Sequence, residues 1–215
     1  QNPSEVMNVN VVGFSNVMML ATLINCKRIV FASSSSVYGD DSSKLRTEEK
    51  LGKQLSPYAL SKIQNEQFAQ IWCKNIALEY VGLRFFNVYG EGQLVDSPYS
   101  AVIPRFINGK DITIFGDGET IRDFTHVDDV CRAIELSLTT EKYNNIYNVC
   151  TGEGTSLNKL AMLCGGSVIE TENKKKVNYI EERPIDIKKS IGSNFKSEIF
   201  LKFKSCIGIE EGIER

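Results

Sequence analysis

Ser56-Pro57-Tyr58-Ala59-Leu60-Ser61-Lys62 sets a tyrosine and a lysine four residues apart on the opening turns of a helix. Ser56 suits the N-cap, and Pro57 suits the first helical position, where its missing N–H costs nothing. Residues at i and i+4 share a helix face, so the Tyr58 phenol and the Lys62 ammonium point the same way. A tyrosine ordinarily titrates near pH ~10, and a neighbouring cation favours its phenolate. Bringing it to neutrality takes about three units, or roughly 4 kcal/mol. The pair is therefore a candidate general base for an alcohol proton. The same spacing also occurs in many helices as a half-buried ring beside a solvated amine, so the surrounding chain decides between the two roles.

That chain has 215 residues, with 42% apolar residues and a mean hydropathy of −0.18, the composition of a soluble globular protein. Its net charge is −2, from 25 basic and 27 acidic residues, and this argues against nucleic acid or an anionic membrane as a partner. Lys174, Lys175 and Lys176 form a short basic run that reads as a solvated loop. Six scattered cysteines make no C-x-x-C pair and read as reduced thiols of a cytoplasmic protein. His126 is the single histidine, which leaves little from which to build a zinc site or a Ser-His-Asp triad, and no metal is expected. No apolar run reads as long enough to cross a membrane, and no signal peptide is visible. The chain opens at Gln1 without a methionine and enters a helical pattern at once, as the middle of a larger protein would.

Residues 4–25 read as a helix with a broad apolar face through Val6, Val9, Val12, Phe14, Val17, Leu20, Ala21 and Ile24. Ile29-Val30-Phe31-Ala32 is an unbroken apolar run, the mark of a strand buried on both faces of a parallel sheet. It ends in Ser33, Ser34, Ser35 and Ser36, beyond the carboxyl end of that strand, where open α/β sheets bind ligands. A strand pattern over 76–86 ends in Phe86 and is followed by Asn87-Val88-Tyr89-Gly90. Helices are expected at about 127–139 and 157–164, and strands at 146–149 and 177–182. The alternation predicts an α/β protein with a parallel sheet.

At this point the motifs resemble those of a family, the extended short-chain dehydrogenase/reductases of the NAD-dependent epimerase/dehydratase group, which act on nucleotide sugars. Asn10-Val11-Val12-Gly13, Phe31 to Gly39, Ser56 to Lys62, Leu83 to Gly90, Val102-Ile103-Pro104, Gly116-Asp117-Gly118, Arg122-Asp123-Phe124 and Arg183-Pro184-Ile185-Asp186 stand in the family's order. The resemblance implies a Rossmann-type doubly wound parallel sheet with a small interleaved substrate-binding domain. Residues 1–89 and 122–150 would form the partial NAD-binding part, and 90–121 and 151–215 the nucleotide-sugar-binding region. It implies Ser34, Tyr58 and Lys62 as catalytic residues. Ser33, Tyr58, Lys62 and Phe86 would hold NAD. Ser34, Asn87, Val102, Arg122, Arg183 and Ser190 would hold the nucleotide-diphosphate sugar, with the arginine forks matching phosphate oxygens. Bland roles exist for the same residues: serines capping backbone groups, Phe86 as core, Arg122 paired with Asp123 or Asp128, Ser190 exposed on a loop.

The resemblance is closest to UDP-glucose/UDP-N-acetylglucosamine 4-epimerases. Members that eliminate water carry an acidic pair after the catalytic hydroxyl, and here Ser35 and Ser36 stand there instead. The serine pattern resembles that of the 4-epimerases, in which the tyrosine takes the O4 proton, a 4-keto sugar forms and the hydride returns to its other face. A small residue at Ser190 resembles members that admit N-acetylated sugars. A UDP-glucuronate epimerase, a sugar-nucleotide reductase or a non-catalytic nucleotide-sugar-binding protein are the alternatives. The family's glycine-rich cofactor loop and the acid of its second strand do not occur in this sequence. The resemblance thus covers the C-terminal two-thirds of a full-length member, and the 215 residues alone are expected to hold NAD poorly and to be inactive. A homodimer through helices 4–25 and 56–75 is also implied by resemblance.

Overall fold

A computed structural model describes residues 2–95, 102–168, 174–182 and 187–215. Arg183, of the predicted substrate residues, lies outside the described residues. Three parallel strands form the centre: Arg28–Ser34, Glu79–Phe85 and Asn145–Val149, with Glu79–Phe85 in the middle. Ser33 pairs with Arg84, and Arg84 in turn with Asn148. The middle strand is buried on both faces, as its nearly continuous apolar sequence requires. Gly82 is needed there, because a Cβ would lie 2.4 Å from Ile146 and 2.8 Å from the Phe31 ring. The fold is a Rossmann-like α/β arrangement, as the strand and helix alternation predicts.

Side chains alternate across the sheet, and each face builds its own core. On one face Phe31 and Tyr80 pack with Met18, Ala21, Ala69 and Cys73 from the helices Pro3–Leu23 and Pro57–Lys74. On the other face Val81, Leu83, Tyr147 and Val149 pack with Val130 and Ala133 from the helix Val127–Thr139. Leu201 and Phe203 belong to this second core, although the sequence places them within the 151–215 region. The chain returns to the central sheet there through the helix Phe195–Phe200. A separate core lies between the parallel strands Ile112–Phe115, Lys175–Ile180 and Gly166–Ser167 and the helices Val102–Asn108 and Leu157–Leu163.

Of the eight apolar residues read as the broad apolar face of the helix Pro3–Leu23, only Ala21 is buried; Val9, Val12, Val17, Leu20 and Ile24 are exposed. At 21 residues and mean hydropathy 1.5 it is also long and apolar enough to cross a membrane by length and composition, which corrects the reading that no run is. Ser4, Asn8, Asn10, Ser15 and Asn16 interrupt the apolar run in sequence without lowering its average far. Among the cysteines, Cys73, Cys150 and Cys164 are buried, whereas Cys131 and Cys206 are exposed, so not all are core thiols.

The helix Pro57–Lys74 starts as its sequence predicts. Ser56 is extended (φ −152°, ψ 157°), its Oγ accepts the Ala59 N–H at 3.1 Å, and Pro57 opens the first turn. Two turns further in, Glu66 anchors the helix to the sheet. Its carboxylate is gripped by Arg84, Nε to Oε1 at 2.9 Å and Nη2 to Oε2 at 2.7 Å, with both side chains about 5% exposed or less. Ser33 Oγ donates to the same Oε1 at 2.5 Å. Arg84 Nη1 also donates to Tyr38 Oη and to the Glu48 carbonyl, and Tyr38 Oη donates to Asn148 Oδ1. Burial drives the Tyr38 phenol far above its usual range.

Breaking a buried ion pair by removing one partner costs about 3–5 kcal/mol, against about 1 kcal/mol for a lost N-cap. Glu66→Ala is therefore expected to lower the urea unfolding midpoint several times more than Ser56→Ala, with an unchanged slope. Equal shifts in the two variants would contradict a dominant role for the pair.

Candidate active site

Beyond the carboxyl ends of the central strands opens a cleft of about 790 Å³, and Ser34, Tyr58, Asn87, Arg122 and Ser190 all line it. Five of the predicted residues, from five separate stretches of chain, thus share one cavity. Ser34 ends its strand in extended geometry, and its Oγ accepts the Ser36 N–H at 3.1 Å. That bond uses a lone pair and leaves the hydroxyl proton available to a ligand.

Tyr58 and Lys62 follow on the neighbouring helix. Lys62 Nζ lies 5.7 Å from the centre of the Tyr58 ring and donates to the Ala32 carbonyl at 3.0 Å. Burial pulls the Lys62 ammonium below its usual pKa. The helix Pro3–Leu23 closes this side: Asn10, within a π-helical turn over Asn8–Val12, donates to Ser61 Oγ at 2.9 Å and lines the cleft. Such π turns are frequent at functional sites.

The opposite wall is organised by Asp123, which is fully buried. Its Oδ1 accepts from Thr151 N at 3.0 Å and Thr151 Oγ1 at 2.7 Å, and its Oδ2 from Gly152 N at 3.0 Å and Gly192 N at 3.3 Å. Burial pushes its carboxyl up to about 6, and these donors oppose the shift. Through its backbone, Asp123 donates to the Ser190 carbonyl at 3.0 Å and accepts from Asn87 Nδ2 at 2.9 Å. One buried residue therefore holds two residues of the cleft wall, Asn87 and Ser190. Arg122 lies beside it, donating to the carbonyls of Ile121 and Ile187. Of the alternatives weighed for Arg122, Asp123 is committed to the Thr151 turn, and Asp128 meets Arg215 at 3.2 Å. Ser190 is buried rather than a loop-exposed serine.

Three predicted residues stand elsewhere. The Ser33 hydroxyl is turned to Glu66, because adjacent strand residues point to opposite faces and Ser34 takes the cleft. The Phe86 ring is wholly buried against Val37, Tyr38, Ile63 and Cys150, so it is core. Val102 opens its helix and packs against the separate core around Ile112, Ile114 and Leu160. Asn10, Glu66 and Arg84 carry structural work that sequence reading missed. The signal for Glu66 was present, four residues beyond Lys62 on a successive helix turn.

A fold of this topology with a tyrosine–lysine pair and a strand-end serine on one cleft defines a short-chain-dehydrogenase-like class. Residues 1–150 match the NAD dependent epimerase/dehydratase family, and the chain belongs to it. A UDP-glucuronate 4-epimerase of Thermodesulfobacterium geofontis is 30% identical over 216 residues, covering 100% of this chain and 66% of that protein. Among solved structures, a UDP-N-acetylglucosamine 4-epimerase of Methanobrevibacter ruminantium, in complex with UDP-N-acetylmuramic acid, superposes with a TM-score of 0.89 at 32% identity. It covers 99% of this chain and 70% of that one. The UDP-glucose 4-epimerase of Thermotoga maritima, with UDP-glucose, also gives 0.89, at 29% identity over 99% and 69% of the two chains. The chain spans about two thirds of the length of the relatives it matches.

The residues present fit one half of a dinucleotide site. Tyr58 and the half-buried Lys62 lie at the strand ends, where a nicotinamide riboside would stand, while Ser33 and Phe86 are turned away. No glycine-rich turn for the pyrophosphate occurs in the sequence.

The Lys62 shift has a defined sign. The unfolded chain keeps this proton up to about pH 10.4. The fold releases it earlier, so this group makes stability rise with pH from the lowered value up to that limit. Amine labelling read by mass spectrometry is expected to place the Lys62 midpoint below the ordinary lysine value of about 10.4. A midpoint at or above that value would contradict the burial.

Proposed function

We propose that the protein containing this chain is an NAD-dependent nucleotide-sugar 4-epimerase acting on a UDP-hexose or UDP-N-acetylhexosamine. The observation that carries this reading is the shared cleft of Ser34, Tyr58, Asn87, Arg122 and Ser190, with serines rather than carboxylates after Ser34. Tyr58 takes the O4 proton and later returns it, while Ser34 donates a hydrogen bond to the same oxygen. Lys62 keeps a cation beside the Tyr58 ring, which favours the phenolate. Asn87 and Arg122, on the opposite wall, hold the diphosphate, joined by Arg183. NAD, when bound, supplies a hydride acceptor and donor at C4, and Tyr58 and Lys62 are the residues here that would hold its riboside. The sugar turns about its diphosphate link between the two proton transfers, so one tyrosine serves both faces. Acid groups suited to dehydration do not follow Ser34, and this favours inversion over loss of water.

Residues 90–121 and most of 151–215 form the sugar-nucleotide side in this reading, and 1–89 with 122–150 the dinucleotide side. Exposed Val9, Val12, Leu20 and Leu23 on one helix, with Leu60 and Ile71 on the next, support a homodimer through these helices. A cytoplasmic location agrees with the free cysteines.

The test uses the complete reading frame of the gene, incubated without added cofactor with UDP-glucose, UDP-N-acetylglucosamine and UDP-glucuronate in turn. C4 inversion followed by proton NMR is expected for the hexose or N-acetylhexosamine substrate. Tyr58→Phe should lower the rate by about 10²–10⁴-fold, the range of a lost general acid–base group. Ser190→Tyr should lower turnover of the N-acetylated substrate more than that of UDP-glucose, since Ser190 lines the cleft. Absence of inversion with all three, or full activity of Tyr58→Phe, would overturn the assignment. The 215 residues alone should bind NAD far more weakly than the full protein by calorimetry, and equal affinity would contradict the split site.

A further inference from the structure

The end of the strand Arg28–Ser34 is fastened to the helix Pro57–Lys74 at two successive points. The Ala32 carbonyl accepts from Lys62 Nζ at 3.0 Å, and Ser33 Oγ donates to Glu66 Oε1 at 2.5 Å. Two adjacent strand residues thus meet two residues one helix turn apart, which fixes both the sliding and the rotation of the helix against the strand. The next strand completes the clamp, because Ser33 and Arg84 are register partners and Arg84 holds both oxygens of the same carboxylate. Ser34 and Tyr58, the two hydroxyls that must reach one sugar oxygen, are carried directly by these two elements and line the same cleft.

From this geometry we infer that Ser33 and Glu66 are positioning residues of the reaction, setting the offset between the Ser34 hydroxyl and the Tyr58 phenol. The inference rests on the 4-epimerase reading for its chemistry but not for its geometry. Glu66 is unsuited to separate the two roles, since its loss also strands a buried guanidinium. Ser33→Ala leaves the Arg84–Glu66 pair intact and removes only the tether.

Misplacement of reacting groups by about 1 Å can cost about 10²-fold in rate. In the protein from the complete reading frame, Ser33→Ala is expected to lower kcat for C4 inversion by about 10–100-fold with KM within about twofold. Ser33→Thr, which keeps the hydroxyl, should recover most of the loss. A second readout does not need turnover: 3-fluorotyrosine at position 58 should give one sharp ¹⁹F resonance in the parent and a broadened or split one in Ser33→Ala, restored in Ser33→Thr. An unchanged kcat, or an unchanged resonance, in Ser33→Ala would overturn the inference. If the parent itself inverts no UDP-sugar while the resonance behaves as expected, the chemical reading fails and the tether stands.

Discussion

The carboxylate of Glu66 is the constraint on which the rest of the molecule depends. It is buried between a helix and two parallel strands, and each of its oxygens is taken by a donor from the sheet. Placing a charge there costs several kcal/mol unless its bonds are complete. Here they are complete on the sheet side, and Arg84 passes its remaining donors to Tyr38 and to the 40–55 loop. A network so satisfied admits one arrangement of its members. The helix that bears Tyr58 and Lys62 cannot slip by a turn without leaving either the acid or the guanidinium alone.

Asp123 does the same for the other wall. Four donors converge on it from the turn at Thr151–Gly152 and from Gly192, and its backbone holds Asn87 and Ser190. The cleft is thus bounded by two buried acids, neither of which faces the ligand space. One holds the helix that bears Tyr58, and the other holds Asn87 and Ser190. Short strand segments such as Lys189–Ser190 beside Ile121–Arg122 would not persist alone, and their hydrogen bonds gain weight from this buried anchor.

Much of this was legible in the sequence where the physics is local. The cap and the Tyr58–Lys62 spacing each need only a few neighbouring residues and appear as read, whereas the run Ile29–Ala32 forms its strand but is not buried on both faces: it lies at the edge of the three-stranded sheet, with Ala32 exposed and Ile29 and Val30 half-buried. Ser33 against Ser34 could not be resolved, because strand parity decides which hydroxyl faces the cleft and a run of four serines carries no pattern to set it. Phe86 follows a strand whose residues are nearly all buried, and only the third dimension shows its ring inside. The apolar face of the helix Pro3–Leu23 signals burial without saying against what, and most of that face is uncovered in this chain. The anchoring roles of Asp123 and Glu66 could not be read from sequence, since the partners that bury them are distant along the chain.

The central claim is that Tyr58 and its clamped neighbours serve an inversion at sugar C4 through transient oxidation. The most direct test follows UDP-sugar labelled with deuterium at C4 through turnover by the full-length protein in ordinary water. The account predicts an inverted product that keeps its deuterium at C4, because the hydride leaves and returns without meeting solvent. An inverted product that has lost the label to water would contradict it, and would point instead to inversion through proton exchange at that carbon.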